Sequence, residues 1–195
     1  LDLTNNIALR DLWCHNNSQL RIFDLSNNIN LRTFYCGYNG IDSLDLSNNI
    51  NLNTLSCPNN FLDSIDLSHN INLETIYLEW NDLTDLDVSM LPSLRNLIIE
   101  GNDFQQIDVS NNPQLETLRC AVNRISSIDL SNQTLLTSLD VNRNLLVDLD
   151  LSNNTILHQL NCSENRLTKL DLTQQTVLNY LYAQCNLPYL KICVL

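Results

Sequence analysis

The chain has 195 residues, of which 44% are apolar, and its formal net charge is −12. This charge argues against a nucleic-acid-binding protein, because binding phosphates requires Lys and Arg, and only 10 such residues are present. The sequence contains no run of 18 apolar residues and therefore no candidate transmembrane helix.

An apolar–Asp–apolar triplet recurs along the whole chain, every 21 residues except at the first step, which is 22. Its aspartates are Asp2, Asp24, Asp45, Asp66, Asp87, Asp108, Asp129, Asp150 and Asp171. The consensus L-x-x-L-x-C-x-x-N-x-L-x-x-L-D-L-[ST]-N-N-x-x fits nine copies, which fill residues 1–195 and leave no room for a second domain. Because Leu1 lies inside a repeat, we expect the chain to be a fragment or processed form of a longer protein.

Each repeat contains one short strand, for which "LNTLSC" at 52–57 is the example. Since alternate residues of a strand point to opposite faces, Leu55 and Cys57 point inward, and Thr54 and Ser56 point outward. Stacked copies then form a parallel sheet with a continuous core behind it. The rest of the repeat is too short and too rich in Asn and Ser for a full helix, which predicts extended or 3₁₀ structure on the convex side.

An asparagine follows every strand at the point where the chain bends. A stacked column of amides can supply donors and acceptors to the backbone groups that the bend leaves unpaired. The column consists of Asn17, Asn39, Asn60, Asn81, Asn102, Asn123, Asn144, Asn165 and Asn186. We expect a structural role for it, with glycan attachment at the N-x-[ST] sequons of Asn16, Asn132, Asn153 and Asn161 as the functional alternative.

The triplet aspartates should stack roughly 5 Å apart, where like charges repel one another. Hydrogen bonds from backbone N–H groups one or two residues further on, in the "D-L-S-N" turn, can offset this repulsion. Turn capping is therefore the main interpretation. A calcium-bridged edge is the alternative, because carboxylate oxygens are calcium ligands.

Five cysteines occupy one inward strand position: Cys14, Cys36, Cys57, Cys120 and Cys162. At this position cysteine behaves as a small buried apolar residue, and other repeats carry Leu78, Ile99, Val141 or Ala183 there. Disulfides along this ladder are not expected, because in-register parallel side chains do not approach correctly. No Cys/His set has zinc-ligand spacing. Cys185 and Cys193 lie outside the ladder, and the sequence leaves open whether they are free, paired or part of a cap.

The motif L-x-x-L-x-[LC]-x-x-N-x-L resembles the leucine-rich repeat signature. The 21-residue period and the "LxC" variant are similar to bacterial surface leucine-rich repeat proteins, in particular the listerial internalins with a cysteine ladder. The repeats rich in "LDLSNN" also resemble secreted proteins of Bacteroidetes. This resemblance implies a curved leucine-rich repeat solenoid of nine repeats in a bacterial protein that is secreted or displayed at the cell surface. It says less about the ligand, because the fold serves many.

Aromatic residues are concentrated at outward strand positions, which form the concave face of such a solenoid. Exposed Trp and Tyr suit interfaces, although aromatic residues also favour strands for purely structural reasons. Three of the four Phe residues, Phe23, Phe34 and Phe104, fall instead at core positions. The predicted ligand-binding residues are Trp13, Tyr35, Tyr38, Tyr77, Trp80, Arg95, Arg119, Tyr180 and Tyr182, and Trp13, Tyr35, Ser56 and Tyr77 form a strip across the first four repeats.

Two classes of partner fit this face, and a structural role without a partner is the third possibility. A protein could use the aromatic strip as its hot spot and the charged repeats five to eight as a selective rim, and we favour this hypothesis. A glycan could stack on Trp13, Tyr35, Tyr77 or Trp80. The solenoid could also serve as a spacer.

Catalysis is not expected, nor is any cofactor. His15, His69 and His158 lie in distant repeats, and charged strand positions such as Glu74 and Glu79 are usually only solvated.

The two ends of the chain lack an evident cap. The last segment, "LPYLKICVL", reads as one more strand with Leu190, Ile192 and Val194 pointing inward. Exposed terminal repeats predict end-to-end self-association, unless a longer parent protein covers them.

Overall fold

A computed structural model describes residues 1–194. Each repeat contributes a strand of three residues whose middle side chain points into the interior, because one face of so short a strand must be buried by its neighbours. The strands within this range are β1 (Asp11–Trp13), β2 (Thr33–Tyr35), β3 (Thr54–Ser56), β4 (Thr75–Tyr77), β5 (Asn96–Ile98), β6 (Thr117–Arg119), β7 (Ser138–Asp140), β8 (Gln159–Asn161), β9 (Lys169–Asp171), β10 (Tyr180–Tyr182) and β11 (Lys191–Cys193).

Nine of these strands form one parallel sheet in the order β1-β2-β3-β4-β5-β6-β7-β8-β10, which is the predicted leucine-rich repeat solenoid. Every pair is in register by one repeat, so that Phe34 lies beside Leu55 and Leu55 beside Ile76. Between strands the chain returns through extended segments and turns. In a typical turn, Asn49 N donates to Leu46 O and Leu52 N donates to Asn49 O, the i to i+3 pattern of a 3₁₀ turn. No helix between residues 1 and 194 is long and apolar enough to cross a membrane.

The C-terminal segment differs from its predicted placement. β11 is a strand, but it pairs with β9 in a separate two-stranded sheet, with Cys193 beside Asp171. It therefore occupies the position of an apolar–Asp–apolar triplet and does not extend the concave sheet. Leu190 packs against the core, and the register places Ile192 beside the buried Leu170, as an inward direction requires. Ile192 is nevertheless 42% exposed and Val194 66% exposed, because β11 is the edge strand of its sheet. The segment follows β9 by 22 residues, about one repeat, which is where the next triplet falls.

The core is a single stack of apolar side chains. Phe34 and Phe104 are fully buried, and Phe23 packs edge-on against Phe34 with ring centroids 5.3 Å apart. The five ladder cysteines are buried, and all seven cysteines in the described range are free thiols. Burial raises the pKa of Cys14 and of Cys162 to about 11, so the buried thiols are neutral at physiological pH.

The turn asparagines form hydrogen bonds both within and between repeats. Asn81 is typical: its Oδ1 accepts from Leu62 N at 3.1 Å, and its Nδ2 donates to Leu78 O and to Cys57 O of the preceding repeat. The same three types of bond recur from Asn60 to Asn186. Asn17 differs in being exposed. Each of these amides satisfies backbone groups that would otherwise be buried and unpaired.

A second column of buried amides lies on the other side of the core, at the second Asn of the "SNN" motif. Each asparagine donates to two carbonyls of the preceding repeat, as Asn70 does to Leu46 O and Asn49 O, both at 3.0 Å, and each glutamine donates to one. The members are Asn28, Asn49, Asn70, Asn112, Gln133, Asn154 and Gln175, and Leu91 takes the position in the fifth repeat. Their side-chain oxygens have no hydrogen-bond partner among the described residues.

Turn capping by the triplet aspartates is confirmed. In all nine triplets, Oδ1 of the aspartate accepts from the backbone N–H of the Ser or Thr two residues further on, at 2.9–3.1 Å. Hydrogen bonds from that Ser hydroxyl and N–H lower the pKa of Asp45, and Asp66 shows the same effect. Within the described range, no three His, Cys, Asp or Glu side chains are arranged to hold a metal ion.

Candidate binding surface on the concave face

The outward residue at the third position of each strand forms a row across the sheet, which we call the central row. The strand register places its members side by side in the order Trp13, Tyr35, Ser56, Tyr77, Ile98, Arg119, Asp140, Asn161 and Tyr182. The row changes character along its length, from aromatic in the first four repeats to charged and polar in the sixth to eighth.

The aromatic end of the central row is a continuous surface. Trp13 is 71% exposed, and its ring meets that of Tyr35 edge-on at a centroid distance of 6.2 Å. Ser56 is only 8% exposed between the partly buried Tyr35 and Tyr77. Tyrosine hydroxyls and aromatic rings together present apolar area with polar handles, which is the composition of protein interface hot spots.

Tyr38 and Trp80 lie next to this row, in the bend that follows β2 and β4. Both residues have left-handed backbone conformations, with φ angles of 58° and 56°. Every repeat adopts this conformation just before its turn asparagine, because the bend requires it, although the residues there are mostly not glycine. Tyr38 and Trp80 are both more than half exposed.

Trp80 lies directly on the backbone of the next repeat. A Cβ atom at residue 101 would be 2.6 Å from Cδ2 of the Trp80 ring, so only glycine fits beneath it. The ring is therefore supported on one face by Gly101 and remains 51% exposed elsewhere. A supported, exposed indole is a rigid platform for a ligand, because little side-chain entropy remains to be lost on binding.

Glu79 is not simply solvated, contrary to the expectation for a charged concave residue. It is partly buried, and its Oε2 has no hydrogen-bond partner in the part of the chain that the structure describes. Burial raises the pKa of Glu79, and repulsion from Glu100 acts in the same direction. Burial at this position was not apparent in the sequence, where Glu79 looked like any other polar strand residue.

The charged part of the face is organised into ion pairs between adjacent repeats. Arg95 pairs with Glu116, and Arg119 Nε lies 2.6 Å from Glu100 Oε1. Arg143 and Glu164 form a third pair at 3.1 Å. The two predicted ligand-binding arginines, Arg95 and Arg119, thus already have partners, although about half of each side chain remains exposed.

A groove of about 650 Å³ lies beside the aromatic end, where the chain enters the strands. Arg10 and Arg32 line it side by side, and neither forms an ion pair with any of residues 1–194. Asp11 and Glu74 also line the groove and offset this positive charge.

Tyr180 and Tyr182 lie on β10, the last strand of the concave sheet, and both are exposed. The interior residue of the same strand, Leu181, is also 37% exposed. Their exposure therefore reflects the position of β10 at the edge of the sheet and does not distinguish them as ligand contacts.

The three histidines do not form a catalytic group. His15 and His158 follow or precede strands seven steps apart, which corresponds to about 34 Å. His69 lies outside the concave sheet, next to Ser68 Oγ at 3.1 Å.

Sequence reasoning also missed an apolar row outside the concave sheet. Ile7, Ile29, Ile50 and Ile71 recur one per repeat and are each more than half exposed. The signal was the isoleucine that follows "NN" or "HN" in each of the first four repeats.

Solved structures show where this architecture occurs. The chain is 40% identical to the functional domain of InlJ from Listeria monocytogenes, which includes a cysteine ladder, over 92% of its own length with a TM-score of 0.89. It is 26% identical to the internalin InlF of Listeria monocytogenes over 96% of its length, with a TM-score of 0.84. The LRIM1/APL1C complex contains a chain with the same fold, at 24% identity and a TM-score of 0.83.

The chain spans 40% of the InlJ chain and 58% of the InlF chain. No protein-family model matches the sequence, and no curated protein matches it. The 21-residue period, the parallel solenoid and the buried cysteine ladder fit this likeness to the internalin structures. The chain is a leucine-rich repeat protein with internalin-like 21-residue repeats and a cysteine ladder.

Proposed function

We propose that the chain is a non-catalytic binding module that recognises a protein partner through its concave face. The observation that carries this proposal is the aromatic surface of the exposed Trp13 and the partly exposed Tyr35 and Tyr77, extended by the supported ring of Trp80. Leucine-rich repeat proteins of known structure support it, since one of them is a component of the LRIM1/APL1C complex.

The size of the face favours a protein over a smaller ligand. Nine strands at the usual spacing make a sheet about 38 Å wide. A protein interface of standard size needs roughly 800 Å² on each partner, and three-residue strands about 10 Å long supply about half of it, so the bends and entry segments beside the sheet would belong to the interface as well. The inter-repeat ion pairs of Arg95, Arg119 and Arg143 would then form a charged rim that selects among partners.

We further propose that the protein acts outside the bacterial cell, in adhesion or in contact with a host or neighbouring cell. The support is the likeness to InlJ, together with nine exposed aspartates that favour solubility. A glycan ligand stacked on Trp13 or Trp80 is the second candidate, because both indoles are more than half exposed. A spacer role needs no ligand at all.

A parallel screen against surface proteins and a glycan array tests these alternatives. The variant carries Trp13→Ala, Tyr35→Ala, Tyr77→Ala and Trp80→Ala, and circular dichroism checks that it is folded. The matched control carries Ile7→Ala, Ile29→Ala, Ile50→Ala and Ile71→Ala, which removes the same number of exposed apolar side chains from outside the concave sheet.

Binding of a protein that the concave variant loses and the isoleucine control keeps is the expected result. Binding to the glycan array alone would show that the ligand is a carbohydrate and not a protein. Binding that survives in the concave variant, or no binding at all, would overturn the proposal. Size exclusion of the same samples tests the expected end-to-end self-association, for which a clean monomer at high concentration is the contrary result.

A further inference from the structure

Four residues of two adjacent repeats form a compact group in the bends that follow β4 and β5, which we call the Trp80 corner. Glu79 and Trp80 lie beside Glu100 and Gly101, and Trp80 N donates to Glu100 O at 2.8 Å. Gly101 supports the indole ring, as described above. This backbone hydrogen bond and the contact of the ring with Gly101 therefore hold the group together.

The charges of the corner do not balance. Arg119 neutralises one carboxylate, because its Nε lies 2.6 Å from Glu100 Oε1. The other carboxylate, Glu79, has a buried oxygen without a hydrogen-bond partner in the described range. A hydrogen bond from its own backbone N–H and the attraction of Arg119 offset part of the cost of burying Glu79, but two carboxylates and one guanidinium still leave one net negative charge that has lost part of its hydration.

The aromatic part of the corner suits the same kind of ligand. The exposed face of an indole attracts cations through its quadrupole, and tryptophan is the best side chain for this interaction. Glu79 precedes Trp80 directly in the chain, and both residues interact with Glu100 of the next repeat, Trp80 through its backbone N–H and Glu79 through charge repulsion. A cation–π contact and an ion pair with Glu79 both become stronger when a partner excludes water from the site.

We propose that the Trp80 corner binds a cationic side chain, arginine or lysine, that the protein partner inserts into the concave face. Trp80 supplies the cation–π contact and Glu79 the countercharge. Glu100 and Arg119 act as a positioning pair beside them. This inference rests on the proposed function, because it names the chemistry of the partner at one point of the same surface.

Other ligand classes fit the corner less well. An anionic group would meet the uncompensated charge of Glu79 and be repelled. A metal ion would need more donors than the corner offers, and no three metal-binding side chains come together in the described part of the chain. A neutral sugar could stack on Trp80 but would leave the charge of Glu79 unpaired. The net charge of −12 also favours a basic partner.

The experiment uses small cations, so that it does not depend on identifying the partner. The probes are acetyl-arginine amide and acetyl-lysine amide, with the uncharged acetyl-citrulline amide as the control for shape. The chain contains two tryptophans, and labelling with 5-fluorotryptophan gives each its own ¹⁹F signal. Trp13 then serves as an internal control for general attraction of cations to an acidic protein.

We expect a saturable shift of the Trp80 signal with the arginine and lysine probes, and binding of the citrulline probe about tenfold weaker or more. The pKa of Glu79, followed by carboxyl ¹³C chemical shifts, should fall when the arginine probe is bound. Glu79→Gln should weaken the arginine probe about tenfold, whereas Asp148→Asn, which removes an exposed carboxylate outside the concave strands, should not.

Equal binding of the arginine and citrulline probes would overturn the inference, as would an unchanged affinity in Glu79→Gln or no saturable response of Trp80. Circular dichroism of Glu79→Gln excludes unfolding as the cause of a loss. A chain that captures a protein through its concave face but ignores these probes would retain the proposed function and lose the cation site. A chain that binds these probes but captures no protein through its concave face would retain the cation site and lose the proposed function.

Discussion

Trp80 and Gly101 are in van der Waals contact between adjacent repeats, and the contact depends on the absence of a side chain at residue 101. Gly101 also has a φ of 65°, which other residues adopt only at a cost. Gly101→Ala should therefore displace the indole and lower the free energy of unfolding by about 1–3 kcal/mol. Urea unfolding and the fluorescence of Trp80 measure the two effects.

Gly40→Ala is the matched control for this substitution. Its new Cβ would be 3.3 Å from Cγ of the flexible Arg21 side chain, which can move. A loss of stability in Gly101→Ala no larger than in Gly40→Ala would show that the indole is not held as described.

The turn asparagine Asn81 should be costly to remove. Asn81→Ala leaves the N–H of Leu62 buried without its acceptor and also loses the bonds to Leu78 O and Cys57 O. We expect the free energy of unfolding to fall by about 3 kcal/mol or more, since each unpaired buried group costs roughly 1–3 kcal/mol. Asn72→Ala, which loses one exposed bond to Ile50 O in the same repeat, should cost far less in the same urea titration.

The second amide column should tolerate an apolar side chain. Asn70→Leu loses the bonds to Leu46 O and Asn49 O, but these carbonyls still accept from Asn49 N and Leu52 N. The substitution also removes a buried Oδ1 that has no partner in the described range. We expect a loss below about 1.5 kcal/mol, because no backbone group is left unpaired. Asn81→Leu, measured beside it, should lose more, and a larger loss in Asn70→Leu would refute this distinction.

The aspartate column should make the protein sensitive to acid. The pKa of each column aspartate is lower in the folded state, as for Asp45, Asp66 and Asp87, because turn hydrogen bonds favour the charged form. The stability that these aspartates contribute is fully present above pH 3.8, the ordinary pKa of aspartate. It is lost as the pH falls through their lowered pKa values. Thermal midpoints measured against pH should therefore fall steeply below this value, and less steeply in a variant with Asn at these three positions.

Replacement of three exposed aspartates outside the column by Asn provides the control for net charge. The substitutions are Asp42→Asn, Asp63→Asn and Asp82→Asn. If the thermal midpoint of this control also falls less steeply at acidic pH, and by the same amount, the effect comes from total charge and not from the turns.

Glu79 should act in the opposite direction. Burial raises its pKa in the folded state, so the folded protein binds a proton that the unfolded chain releases. Glu79 does not destabilise the fold below pH 4.5, the ordinary pKa of glutamate. The destabilisation appears as the pH rises from there through the raised pKa of Glu79. Glu79→Gln should remove this decline from the thermal midpoint curve, and a curve that keeps it would show that Glu79 is not the group responsible.

The parts of the structure that recur in every repeat could be predicted from the sequence. The inward positions of Leu55 and Cys57 follow from the alternation of a strand, and the role of Asp45 follows from a turn that involves only the next few residues. Each of these sequence patterns occurs nine times, so it can be recognised with little risk that it arose by chance.

The parts that depend on one particular pair of neighbours could not be predicted. The support of Trp80 by Gly101 and the burial of Glu79 arise between two repeats, and each occurs once. The pairing of β11 with β9 follows the triplet spacing, but Cys193 stands where the other triplets carry aspartate, so the motif did not reveal it. The second amide column was missed because its asparagines lie in a motif that also fits a solvent-exposed turn.

The in-register stacking of one strand per repeat also determines how the molecule responds to mechanical load. Hydrogen bonds between strands lie nearly parallel to the long axis, so a force that separates the two ends loads the repeat interfaces in series. Interfaces in series open one after another, each at the force that breaks one set of strand, amide and core contacts. The array would therefore extend in a sawtooth of similar steps, each releasing about 21 residues of chain.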